Sequence, residues 1–108
     1  MPDIDFKKIL SDCIESAKDI AGKSWKDLKP YAEHEFTQFS EDFAFLSKLR
    51  ESEQISDAEY KIRVDMRKTS LKNVLLAIEG IGLITAQSIV NSILDIVSKA
   101  VWAVIGIA

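Results

Sequence analysis

The sequence predicts an all-α protein: an antiparallel helical hairpin, elongated or folded back into a small up-and-down bundle, and completed by oligomerisation. Three observations carry this expectation. The 108 residues include only four glycines and two prolines and no Ser/Gly-rich tract, which leaves little room for the turns that a sheet requires. Apolar residues recur at three- and four-residue spacing through the first half, the period of one helix face. From Asn73 to Ala108 only Glu79, Asp95 and Lys99 are charged, whereas the preceding 72 residues carry the other 28 charged side chains. Something other than water must cover so apolar a half. The length suits one helical domain, residues 1–108, with a core of modest size.

The first helix is expected at about 4–22. Phe6, Ile9, Leu10, Cys13, Ala17 and Ile20 share a face there, and Asp3 stands at the N-cap position. Gly22, Lys23 and Ser24 form a stop and restart, with Ser24 as the next N-cap and Asp27 three residues on. The second helix, 24–52, carries the stripe Trp25, Leu28, Ala32, Phe36, Phe39, Phe43, Leu46 and Leu49. Pro30 falls inside that stripe and should kink it, because proline removes one backbone donor and crowds the preceding turn. Phe45 lies off the stripe, on the side of His34, Gln38 and Glu41, and is the expected subunit contact on this helix.

Ser56 followed by Glu59 is a capping box that opens a third helix after a short turn, so the second and third helices must be antiparallel neighbours. Residues whose numbers sum to about 109 then share a level. That register sets Glu33, Glu35, Glu41 and Asp42 against Lys72, Lys68, Arg67 and Arg63, and Arg50 against Glu59. It also sets Pro30 opposite Glu79 and Gly22 opposite Gln87. The third helix is expected to run 56–106 with a bend near Gly80–Gly82. Unbroken, its roughly 50 residues would measure about 75 Å at 1.5 Å per residue, so those glycines either bend or break it, or the protein is a rod.

Between residues 83 and 107 the polar side chains Ser88, Asn91, Ser92, Asp95, Ser98 and Lys99 make one narrow stripe, and nearly everything else is apolar. The dry arc is about twice the width an ordinary surface helix needs. The expectation is therefore self-association through this helix, with Ile89, Ile93, Val97, Val101 and Trp102 as contacts beside Phe45. A lipid surface is the alternative cover, since Arg67, Lys68 and Lys72 precede a run whose only charge is Glu79. Asn73, Glu79, Gln87, Ser88, Asn91 and Ser92 interrupt that run, which disfavours a spanning segment.

No residue pattern points to a catalytic constellation, and no cofactor motif is present. The glycines at 80 and 82 lack the preceding strand and the following lysine of a phosphate loop. A net charge of -3 lacks the basic excess that nucleic-acid phosphates require. Cys13, the sole cysteine, excludes an internal disulfide and a cysteine-built zinc site and reads as a small buried hydrophobe. The opening residues MPDIDFKKIL show no secretory pattern, so cytoplasmic residence is expected.

Glu79, alone on an apolar stretch, is expected to be held by a partner near the Pro30 kink, with Lys29, Tyr31 and His34 at its level. A metal site between helices, as in ferritin-like bundles, is the functional alternative, with Glu79, His34, Glu35 and Glu33 as candidate ligands. The spacing opposes it: no Glu-x-x-His pair exists here, and consecutive helical residues diverge by about 100°. The sequence thus favours a non-enzymatic helical assembly or interaction protein, a homo-oligomer working through its apolar C-terminal helix. A metal-binding bundle and a membrane-associated helical protein are the alternatives.

Overall fold

The computed structural model describes residues 3–106; Met1, Pro2, Ile107 and Ala108, the ends of the expected domain and of its apolar face, lie outside the described residues. Four α-helices and one short 3-10 turn follow in order: α1 (Phe6–Ala21), the turn Gly22–Ser24, α2 (Trp25–Glu51), α3 (Asp57–Leu76) and α4 (Leu83–Ile105). No strand occurs among the described residues. Of the two expected shapes, the folded-back one is observed. The longest extent is 42 Å, about the length of α2 alone at 1.5 Å per residue.

Local chemistry sets the ends. The carboxylate of Asp5, two residues after the expected cap, accepts from the Lys8 backbone N–H at 3.1 Å, so α1 starts later than anticipated. Gly22 ends it with φ +54° and ψ -117°, a positive-φ conformation open to glycine at little cost. Pro30 is exposed and does not interrupt α2. At the C-terminus of α2, Glu53 N–H donates to Arg50 O at 3.0 Å and Gln54 N–H to Leu49 O at 2.9 Å. This is a Schellman turn, with Glu53 at φ +59° where glycine is usual. Ser56 then caps α3 by accepting from Glu59 N–H at 3.1 Å. The Glu59 side chain does not complete the box and pairs instead with Arg63 at 2.8 Å.

The expected helix 56–106 is broken, not bent. Leu76 ends α3 and α4 begins at Leu83, because Gly80 takes φ +90°. Its carbonyl accepts from the Ser24 hydroxyl at 2.8 Å. Ser24 therefore does not cap α2, as the sequence suggested; it has helical dihedrals and ties the α1–α2 junction to the α3–α4 turn. Ile81, buried beside that tie, plugs the end of the core.

The chain runs up and down. The α2–α3 register is the expected one: Asp42 faces Arg67 at 3.7 Å, Arg50 pairs with Asp57 at 2.7 Å, and the Ser47 hydroxyl lies 2.8 Å from that of Tyr60. After the reversal Gln87 accepts from Lys72 Nζ at 3.5 Å. Trp102 Nε1 donates to the Tyr60 hydroxyl at 3.2 Å, so α3 and α4 are antiparallel. The Ser16 and Ser92 hydroxyls bond each other across α1 and α4.

Like α2, which also meets the three other helices, α4 lies at the centre. It packs against α1, α2 and α3, while α1 and α3 do not meet among the described residues. Ile89, Ile93, Val97 and Val101 are completely buried, together with Cys13 and Ala17 of α1, Leu28 and Phe36 of α2, and Leu75 of α3. The expectation that a second copy must cover this arc rested on counting one neighbour; three neighbours within the chain cover it. These four residues lie in the chain's own core and have no surface to offer a partner.

Candidate interaction surface

With the inner face of α4 occupied, the apolar groups that remain in water are Leu83 and Ile84 at its start and several side chains on α2 and α3. Phe45 on α2 is 61% exposed, and Ile62 and Met66 on α3 are 61% and 63% exposed. Their positions follow from helical spacing. On α2, Phe36, Phe39 and Phe43 turn inward, and Phe45 follows Phe43 by two residues, about 200° around the helix. On α3, Tyr60, Leu71 and Leu75 are the buried residues, and Ile62 and Met66, one turn apart, lie on the opposite side. Phe45 and Met66 line one groove between α2 and α3, and Ile62, one turn before Met66 on α3, stands outside that lining.

The groove, of about 420 Å³, is lined by Asp42, Phe45, Leu46, Arg63, Met66, Arg67 and Ser70. The α2 wall carries Asp42, with the exposed Glu41 beside it in sequence, and the α3 wall carries Arg63 and Arg67. Arg67 reaches Asp42 only at 3.7 Å, and the Arg63–Glu59 pair, though 2.8 Å long, is about half exposed. Solvated pairs of this kind contribute ~0.2 to 1 kcal/mol each, so they can exchange partners at little cost. An apolar centre with ionic margins is the arrangement found in protein contact surfaces.

A second concavity of about 360 Å³ opens between α3 and α4, with Phe43, Tyr60, Val64, Leu94 and Trp102 in its wall. Phe43 lies 5.9 Å from Trp102 and 6.2 Å from Tyr60, ring centre to ring centre, and the Arg50 guanidinium sits 5.1 Å over Tyr60. Its polar groups already satisfy one another: the Tyr60 hydroxyl meets Ser47 and Trp102, and Ser98 donates to Asp95 O at 3.2 Å. The cluster reads as a polar clamp locking α2, α3 and α4. Trp102, expected as a contact residue, is half-buried in it.

The other anticipated residues do not converge. Glu79 is exposed in the α3–α4 turn, where Asp27 and Tyr31 line the same depression. No hydrogen bond or ion pair to it forms among the described residues, and the fastening role expected of it belongs to Ser24. Glu33 and His34 are exposed and Glu35 is half-buried on α2. No group of three or more His, Cys, Asp or Glu side chains that could hold a metal gathers among the described residues. Cys13 is fully buried, and burial, assisted by the negative charge of Asp12, pushes its thiol up to about 12.

Helix α4 is the one helix among the described residues long and apolar enough to cross a membrane, and the residues of its inner face are packed in the core. Leu83 and Ile84 at its start are exposed, 60% and 84%, but they stand at the end of the bundle, away from the groove. No protein-family model matches the sequence, and neither the curated proteins nor the solved structures give a significant match.

The sequence singled out Phe45 but not Ile62 and Met66. The same signal was available for all three: an apolar residue off the stripe that its own helix buries.

Proposed function

We propose that this chain is a non-enzymatic helical interaction protein that self-associates, and that its contact surface is the α2–α3 face rather than the inner arc of α4. One observation supports the reading above the others: Phe45 and Met66, each more than 60% exposed, line one groove, with the equally exposed Ile62 one turn from Met66, on a bundle whose core is already filled. Scattered single exposures are ordinary on a soluble protein, whereas a contiguous patch marks a contact site. The apolar C-terminal helix keeps a part in this reading as the scaffold that α2 and α3 pack upon.

The test is mass in solution. Sedimentation velocity in detergent-free buffer is expected to show mass rising with concentration, and Phe45→Asp combined with Met66→Asp is expected to give a helical monomer at every concentration. A wild-type chain that stays monomeric throughout, or a double variant that associates as before, contradicts the proposal.

A further inference from the structure

We infer that the partner is a second copy placed by a two-fold axis parallel to the helices, so that α2 of each copy lies against α3 of the other. The inference rests on the self-association proposed above and adds its geometry. A closed two-copy contact uses the same patch on both subunits, and an axis in the plane of this face can run along the bundle or across it.

Overlap separates the two. Phe45 lies six residues before the end of α2 at Glu51. An axis crossing the bundle at Phe45 would pair α2 with its counterpart only over about residues 39–51, roughly 20 Å at 1.5 Å per residue. An axis along the bundle keeps every level and lets α3 be used over its whole length, about 30 Å. A face two helices wide, about 20 Å, then covers roughly 600 Å², at the lower edge of what a standard interface takes from each partner. A weak, concentration-dependent dimer follows.

Charge completes the argument. With the axis along the bundle, Glu41 and Asp42 on α2 come level with Arg67 of the partner subunit, and the relation is repeated on the other side of the axis. Phe45 meets the level of the partner's Ile62 and the partner's Met66. Acidic α2 opposes basic α3 twice, with the apolar groups at the centre. Arg67 is 55% exposed and the Arg63–Glu59 pair about half exposed, so both arginines can re-pair, while Asp42, held also by Gln38 at 3.1 Å, stays in place.

Complementary charge reversal is the experiment. Glu41→Lys and Arg67→Glu are prepared separately and checked for unchanged helicity and melting by circular dichroism. Each alone places like charges at both symmetry-related contacts and is expected to weaken the dimer about tenfold. An equimolar mixture restores opposite charges at both contacts and is expected to recover most of the wild-type affinity as a one-to-one heterodimer, seen by sedimentation and native mass spectrometry. If the wild type associates but the mixture is as weak as either variant, the two-fold arrangement is wrong and self-association stands. If the wild type is monomeric at all concentrations, both fall.

Discussion

Helices α4 and α3 are of similar length and opposite character. Of the 23 residues of α4, eight are buried and two, Asp95 and Lys99, are charged and pair with each other at 3.1 Å. Of the 20 residues of α3, three are buried and eight are charged. The dry helix looks like the one that needs a partner, yet beyond Leu83 and Ile84 at its start its inner face is packed within the chain. What a wide apolar arc reports is the number of neighbours a helix has, and three are supplied within the chain. The wet helix is more informative, because Ile62 and Met66 have no reason in the fold to be apolar.

The contrast can be broken first at α4. Ile93→Asp puts a carboxylate into a completely buried site with no partner in reach, a change that costs more than about 4 kcal/mol against a total stability on the order of 5 to 15 kcal/mol. The expected outcome is loss of helical circular dichroism; a folded monomer would mean that this face belongs to an interface. Cys13, in the α1 face that covers α4, gives a pH test. Its thiol stands at about 12 when folded against an ordinary value of 9.0, so the folded chain holds a proton that the unfolded chain releases. Stability from this group is complete below pH 9 and declines as pH rises toward 12. Denaturant unfolding is expected to fall off more steeply in this window for the wild type than for Cys13→Ala.

A smaller effect sharpens the other side of the comparison. Glu53, at φ +59° in the turn that sets the α2–α3 register, is a non-glycine in a left-handed site. Glu53→Gly is expected to stabilise the chain by up to about 1 kcal/mol, read as a rise in the denaturation midpoint. Ile84→Ser is expected to leave stability within about 0.5 kcal/mol and to leave association untouched, since Ile84 is exposed at the end of the bundle and not on the patch.

Much of the architecture was legible. The phenylalanine stripe of α2, the Ser56 cap and the charges of α2 and α3 gave the helices and their register, because each depends on neighbours a few residues away or on one short turn. The reversal at Gly80 was legible only as a weak point. What decides it is the hydroxyl of Ser24, 56 residues distant in sequence, and the plug made by Ile81. The same tertiary bond took Ser24 away from its expected capping role. For the site, Phe45 could be found by its departure from the buried stripe. The roles expected of Ile89, Ile93, Val97 and Val101 could not be judged without knowing how many helices surround α4. Glu79 is conspicuous in the sequence as the one charge between Asn73 and Leu94; in a turn, a solvated carboxylate is ordinary.

Hydrogen exchange read by mass spectrometry at a dilute and a concentrated condition separates the two helices in one experiment. Amides of residues 89–101 are expected to be strongly protected and equally so at both concentrations, while those of residues 62–70 gain protection as the concentration rises. Protection of residues 89–101 that depends on concentration, with residues 62–70 indifferent to it, would return the contact surface to α4 and contradict the assignment made here.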